Sequence, residues 1–448
     1  MPKTLHETYD RILKRIDEAQ WDDAHRLLQC LTVAARPLLV EELVELLVFD
    51  CRASGSGEAH KLESWQWDGH EEAVLSTCSS LIAIIRSGDS RVVQFSHFSV
   101  KQYLTSPRLA RSACVDVSRF HIDIEAAHTI VAQACLETLL RPDEDDGKSN
   151  VRRSPLVKYA AQYWVEHAQF ENVSSRVRDG MDELFDSSKP HFAAWLQVHD
   201  VDEGWDHFSP YYRGSRGSPL YYAAFCGFYD LAERLITKHP DQVNACAGRI
   251  LAPLPVALYK KHFRLANLLH KHGANVDCRG LDNRTPLHSA SNDGNVDVMR
   301  WLLNHGADAN VRSGNGWTPL HWAAFLTGKI ECVQVLLGHN ANPNLQLYLD
   351  GETPLYLAVN WVTGDTLDIA RRLLEHGADP NLCVKGYLSP LHRASSLGQL
   401  EVARLLLSYG AKVDTKDRDG RTTFQVAAWN GHHEITKLLL EHGAVPSP

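Results

Sequence analysis

The sequence predicts a mainly α-helical protein: an N-terminal winged helix of three helices plus a β-hairpin, a helical linker domain, and a solenoid of paired short helices. Three observations predict it. Thr-Pro-Leu-His and its variants recur through the C-terminal half with a period of roughly 33–36 residues, the mark of a stacked repeat. Each copy is followed by an Ala-rich stretch, a Gly, a Leu-Leu pair and a Gly-Ala. At the other end, three stretches with helical spacing precede two β-branched runs separated by Ser87-Gly88-Asp89-Ser90. The expected boundaries are 1–108, 109–205 and 216–448.

In chain order, Leu5, Tyr9, Ile12, Leu13 and Ile16 lie on one helical face, so the spacing predicts a helix from Leu5 to Ile16. A second helix covers Trp21 to Leu31, Arg36-Pro37-Leu38 breaks it, and Val40 to Phe49 forms a third. Ala53 to Gly57 reads as a loop. Leu81 to Ile85 is a buried strand, Ser87 to Ser90 a turn, and Val92 to Phe95 the returning strand. Ser96 to Leu104 closes this part as a short helix. Two more amphipathic helices follow, Ile122 to Leu140 and Leu156 to Phe170, the second made bulky by Tyr159, Tyr163 and Trp164. Asp202 to Arg216, with Gly204, Pro210 and Gly214, reads as the junction into the repeats.

Within the repeats each motif position has a physical task. A Thr or Ser caps the helix it precedes (Ser218, Thr285, Thr318, Thr353, Ser389, Thr422), and Pro at the first turn has no N–H to waste. The Leu enters the core between neighbours. A His three residues after the cap (His288, His321, His392) reaches back to it and to loop backbone. Small Ala residues keep the inner helix thin, and Gly227, Gly294, Gly398 and Gly431 close it. The outer helix carries a Leu pair and ends at Gly273, Gly306, Gly377, Gly410 or Gly443, with Asn340 in the equivalent place. This pattern resembles the ankyrin repeat, and it yields about seven units, an ankyrin-repeat α-solenoid whose first two and last units depart most from the motif.

A second resemblance lies upstream. Arg36-Pro37-Leu38 with Glu41-Glu42-Leu43, followed by Phe95-Ser96-His97-Phe98-Ser99-Val100-Lys101-Gln102-Tyr103-Leu104, resembles the winged-helix segment after the NACHT ATPase in fungal NOD-like (STAND-type) proteins. The same module is described as the GPI inositol-deacylase-type winged helix. The likeness covers Leu5 to Ser106. The linker helices, Phe192-Ala193-Ala194-Trp195 and Pro219 to Phe228 extend it over nearly the whole chain. In that family the segment packs against the nucleotide-binding domain and helps control its closed and open states. The resemblance therefore implies a NACHT ATPase domain, in cis or in trans, as one partner. The family's P-loop is missing. The nearest string, Pro142-Asp143-Glu144-Asp145-Asp146-Gly147-Lys148-Ser149, has Pro for the first Gly and four acidic residues where a phosphate needs backbone N–H groups, so it reads as an acidic surface loop. The expectation is a chain that starts after the ATPase.

Composition narrows the function. A formal charge of −9 argues against non-specific nucleic-acid or anionic-membrane binding. No leader is visible after Met1-Pro2-Lys3, and no apolar run approaches the roughly 18 residues that cross a bilayer. The expected location is the cytoplasm, with the nucleus left open. The ten cysteines are scattered without a Cys-x-x-Cys pair, as befits reduced thiols, and Asn172 and Asn283 match a glycosylation pattern by chance. The 24 histidines raise a metal reading. His432-His433-Glu434 lacks the downstream His of a zinc helix, and most others cap helices, among them His272, His305, His376 and His442. No Gly-x-Ser-x-Gly elbow or singled-out carboxylate pair exists, so no enzyme, metal or cofactor is expected. A winged helix can bind DNA through its third helix, but Glu41, Glu42 and Glu45 there would repel phosphates, and the wing offers only Arg86 and Arg91.

The partner surface is the informative place. In a stack of this kind the fingertip before each Thr and the free end of each inner helix line a concave face. The candidate partner-binding residues are Arg284, Trp317, Phe325, Glu352, Asn360, Trp361, Leu388, Arg421 and Trp429. Trp with Arg is the usual make-up of an interface hot spot, and large aromatics in water are costly unless covered. Phe225 and Tyr259 stand at equivalent places but can equally pack against the helical domain. Extra residues near Thr327 and through Trp361-Val362-Thr363-Gly364-Asp365 fall on one edge of the stack. The expected function is protein–protein recognition, as the sensor and winged-helix part of a fungal NOD-like receptor relative. A free-standing ankyrin scaffold or adaptor, and a winged-helix nucleic-acid binder, are the alternatives.

Overall fold

The computed structural model describes residues 3–49, 78, 80–88, 90–141, 154–201, 217–246, 252–325, 330–360, 365–385 and 388–445. The loop Ala53 to Gly57, the acidic stretch Pro142 to Ser149, the junction Asp202 to Arg216, Thr327 and Trp361 lie outside the described residues. The chain divides into two units, Met1–Pro240 and Asp241–Pro448. The architecture is mainly helical, as the periodicity predicts.

In the first unit, α1 (Lys3–Leu13), α2 (Trp21–Val33) and α3 (Val40–Val48) precede a hairpin of β2 (Ile82–Ser87) and β3 (Ser90–Phe95). Gly88, at φ +61°, supplies the left-handed backbone of the turn between them, with Ser87 opposite Ser90. The sheet has a third strand that the periodicity does not predict. β1 (Leu38–Leu39) pairs with β3, Leu38 opposite Val93 and Leu39 opposite Val92, giving the antiparallel order β1-β3-β2. Two apolar residues running straight into the helix at Val40 leave no alternation to detect. Leu28, Leu38, Val40, Val93, Val100 and Leu104 are buried beneath the sheet. α4 (Phe98–Leu104) follows, its first turn capped by His97 Nδ1, which accepts from the Ser99 N–H at 3.2 Å.

Short helices α5 (Pro107–Ala110) and α6 (Val115–Ser118) lead to the long α7 (Ile124–Leu140), against which α8 (Val157–Ala168) packs. α9 (Val173–Arg176), α10 (Arg178–Leu184) and α11 (His191–Val198) complete the bundle. Its core is aromatic. Trp164 meets Trp195 edge-on at 5.4 Å and stacks on Phe228 at 5.5 Å, and Tyr222 lies edge-on to Phe192 at 5.7 Å. Phe228 joins α12 (Pro219–Cys226) to α13 (Tyr229–Lys238), so the first motif-bearing helix pair shares this core.

The second unit is six further helix pairs: α14 (Pro253–Tyr259) with α15 (Phe263–Lys271), α16 (Pro286–Asp293) with α17 (Val296–Asn304), α18 (Pro319–Phe325) with α19 (Ile330–Gly338), α20 (Pro354–Asn360) with α21 (Thr366–Glu375), α22 (Pro390–Leu397) with α23 (Leu400–Ser408), and α24 (Thr423–Trp429) with α25 (His433–Glu441). From α16 onward each inner helix packs on the next inner helix and each outer on the next outer. The Leu pairs are buried throughout. Asn340 has φ +61°, the left-handed cap that Gly supplies at the other outer-helix ends.

A ladder of amides also joins successive pairs. Asn310 donates Nδ2–H to the Asn340 carbonyl at 3.1 Å and accepts from the Asn342 N–H at 2.6 Å. Asn244, Asn344 and Asn381 repeat the two bonds toward Gly273, Gly377 and Gly410 and the N–H groups of Asn275, Asp379 and Lys412. No helix among the described residues is long and apolar enough to cross a membrane. Among the described residues nine cysteines are present, none in a disulfide with another, and five are buried.

Candidate functional site

The fingertips are positioned by the histidines of the motif. His321 Nδ1 accepts from the Thr318 N–H at 3.2 Å, which leaves the proton on Nε2. Nε2–H then donates to the carbonyl of Glu352, the fingertip of the next pair, at 3.2 Å. His288 makes the same bridge from Thr285 to the Trp317 carbonyl at 2.9 Å, and His392 from Ser389 to the Arg421 carbonyl at 3.4 Å. Three candidate residues, Trp317, Glu352 and Arg421, are thus held by their backbones from the preceding pair. In the fifth unit Tyr356 stands in the place of the His and is buried. Burial, the leading cause, pushes the ring pKa of His288 and of His321 down to about 4 and lowers that of His392. All three rings are neutral struts.

On that frame the aromatic residues gather at one place. Trp317 lies against Trp322, ring centres 4.4 Å apart, and meets Phe325 edge-on at 5.5 Å. The guanidinium of Arg284 sits 4.5 Å above the Trp322 ring. Trp317 and Phe325 are half-buried by these contacts, whereas the sequence reading places them in solvent. Trp322, which packs at the centre, is absent from the sequence-based set. Tyr348 is also absent. It is 60 % exposed, has the Arg312 guanidinium 5.2 Å from its ring, and packs against Gly316, where a Cβ would come within 3.0 Å of it. Spacing held a signal for Trp322, three residues before Phe325 on α18; Tyr348 comes from the next fingertip and had none.

The other candidates are dispersed. Glu352 is half-buried, and burial, then Asp350, raises its carboxyl above the usual range. Arg421 is committed within its own loop, to Asp417 at 3.0 Å and Asp419 at 2.7 Å. Asn360 and Leu388 are half-buried at the end of α20 and before α22. Trp429, at the end of α24, is 84 % exposed. Trp361 lies outside the described residues. Phe225 is half-buried in the first unit and Tyr259 is 41 % exposed in the second.

In the first unit the acidic third helix has another use than the one its composition suggests. Glu42 is buried. It takes a forked pair of bonds from Arg36, at 2.6 and 2.8 Å, and reaches back to the Leu39 N–H at 2.9 Å. Glu45 accepts from the Leu156 N–H at 2.8 Å and so holds the entry to α8. These carboxylates are internal ties. A polar chain runs beside them: the Ala35 N–H donates to Tyr159 Oη at 3.1 Å, Tyr159 O–H donates to His167 Nε2 at 2.9 Å, and His167 Nδ1–H donates to His128 Nδ1 at 2.9 Å. Burial drives His167 to about 3, so this pair is a neutral strut between α7 and α8. Among the described residues no group of three His, Cys, Asp or Glu could hold a metal ion. His432 Nε2–H donates to the Ser396 carbonyl at 3.2 Å, a structural contact.

Comparison with known proteins agrees with both sequence resemblances at the level of modules. Residues 254–347, 313–383 and 355–447 match the family "Ankyrin repeats", and residues 13–116 match "GPI inositol-deacylase, winged helix domain". The chain is 30 % identical over 296 residues to the "Azaphilone pigments biosynthesis cluster protein L" of Monascus ruber, a match covering 62 % of this chain and 60 % of that protein. It is 28 % identical over 186 residues to the "Ankyrin repeat protein nuc-2" of Neurospora crassa, covering 41 % of this chain and 17 % of that protein. The matches thus span less than two thirds of either relative. Among solved structures, the ankyrin repeat domain of Bcl-3 aligns with 51 % of this chain and 99 % of its own, at 26 % identity and a TM-score of 0.46. Ankyrin repeats and a winged helix of this type are therefore present, and repeats of this kind make an interaction module.

Proposed function

We propose that this chain is the sensor and winged-helix part of a fungal NOD-like receptor relative, and that it holds a protein partner on the fingertip and inner-helix face of its second unit. The observation that carries the reading is the grouping of Arg284, Trp317, Trp322 and Phe325, with the Trp317 backbone held from the preceding pair and Trp429 exposed further along. Rigid aromatic anchors beside an arginine are what a binding hot spot requires. The fungal sources of both relatives and the winged-helix match support the wider assignment. In that assignment the winged helix contacts a NACHT ATPase domain, in cis or in trans, and the chain works in the cytoplasm by binding, without cofactor or catalysis.

Two measurements test this. The full chain and its Trp317→Ala/Trp429→Ala variant are used as bait in crosslinking pull-downs from fungal extract. The reading expects the captured set to shrink while circular dichroism shows the variant still folded at the temperature of the pull-down; an unchanged set shows the face to be idle. Copurification with a NACHT-containing chain supports the receptor assignment, and its failure leaves a free-standing ankyrin adaptor. The nucleic-acid alternative draws no support from α3, whose Glu42 is buried against Arg36 and whose Glu45 is bonded to the Leu156 N–H.

A further inference from the structure

Three arginines stand on the fingertips of the two pairs that carry the aromatic group. Arg279 and Arg284 are exposed and Arg312 is half-buried. Among the described residues none of the three forms an ion pair, and the contacts each makes at close range are with neutral groups, although Arg279 lies near enough to Asp277 to influence it. Arg279 donates to the Arg312 carbonyl at 3.3 Å, Arg312 donates to the Gln346 carbonyl at 2.8 Å, and Arg284 lies over Trp322. Elsewhere in the same unit arginines pair with acids: Arg300 with Glu331 at 3.1 Å, Arg372 with Glu375 at 3.2 Å, Arg421 with Asp417 and Asp419. The positive field is felt locally, since Arg284 and Arg279 help lower His288, Arg312 helps lower His321, and Arg279 pulls down Asp277 against its burial. The three arginines border an apolar platform of Trp317, Tyr348 and Leu349, the last two 60 % and 63 % exposed.

A guanidinium resting on an aromatic ring is pre-oriented and keeps its N–H edge for a carboxylate, so it binds one with little further loss of freedom. We infer that this face takes an acidic segment of a partner protein, its carboxylates on Arg284 and Arg312 and an apolar side chain between them on Trp317 and Tyr348. The inference rests on the proposed binding face and names the chemistry of what occupies it.

The test selects binders to the full chain from a displayed library of random peptides, each of roughly 12 residues, about the length that crosses a few fingertips. Enriched peptides should carry several Asp or Glu around one aromatic or leucine. Their affinity should fall about tenfold or more with Arg284→Glu and with Trp317→Ala, and less with Arg284→Gln. Arg300→Glu, at an arginine already paired, should change it less than about twofold. Circular dichroism of each variant controls for folding, and exposed Arg284 makes no side-chain hydrogen bond to lose. Neutral or basic binders, acidic binders indifferent to Arg284→Glu, or no enrichment overturn the inference. Basic binders that Trp317→Ala abolishes do so while leaving the protein-binding face intact; the pull-down with the double tryptophan variant judges that face separately.

Discussion

His321 caps its own helix and fastens the next one, and the two bonds force a single tautomer. The first bond is legible in the sequence, because a His three residues after Thr must lie beside it in a helix. The second reaches a residue 31 positions away, Glu352, and only the stacking distance reveals it. His321→Ala leaves the Thr318 N–H and the Glu352 carbonyl without these partners and opens a void; it should cost about 2–4 kcal/mol in a urea titration. The same rings govern acid sensitivity. In the unfolded chain they take up protons near the ordinary value of 6.5, whereas folded His288 and His321 do so only near 4. The unfolded state therefore binds more protons between those values. Stability from these groups is complete above about pH 6.5, declines as the pH falls toward 4, and has lost about 2 kcal/mol per ring by pH 5. Comparing unfolding midpoints of the parent and of His288→Gln/His321→Gln at pH 7 and pH 5 checks this: the variant should show the smaller decline.

The amide ladder is a property of whole elements, and one rung is wrong. Where other pairs place Asn, the second pair places Asp277. One of its oxygens accepts from the Asp308 N–H at 3.2 Å, as the register demands, and the other is buried without a partner where Asn would offer N–H to a carbonyl. Burial, with Asp308 behind it, raises the Asp277 pKa. A carboxyl raised in the folded state contributes most below its unfolded value and loses that contribution as the pH climbs through the folded one, opposite in sign to the histidines. Asp277→Asn should raise the stability at pH 7 by about 1 kcal/mol, and the gain should shrink in acid; a calorimetric scan at both pH values reads it. Helices of this unit were legible because Leu pairs and caps recur. β1 was not, since its two residues acquire their hydrogen bonds only from β3. The bonds of Glu42 and Glu45 were hidden for a similar reason: charge is visible in sequence, burial is not.

At the scale of the molecule the second unit behaves as a row, each pair touching its neighbours. Effects of His288→Ala and His392→Ala, on non-adjacent pairs, should therefore add within about 0.5 kcal/mol, while His288→Ala and His321→Ala, on adjacent ones, should couple. A double-mutant cycle in urea distinguishes the two cases. The same row presents the fingertips in register, which is how Arg284 from one pair comes to lie on Trp322 of the next. Of the candidate set, Trp317, Phe325 and Arg284 converge, Glu352, Arg421 and Leu388 spread along the row, and Trp429 stands alone in solvent.

The sequence by itself determined the repeat, its caps and its turns, because these are local: a residue's backbone preference and its helical neighbours settle them within a few positions. It also determined which side chains would be large and aromatic. Tertiary structure alone decided which of them meet. Trp322 and Tyr348 entered the group, Glu42 left the surface and Glu45 was tied to Leu156, because contact between residues on different elements depends on stacking distance and register, which no short stretch of sequence encodes.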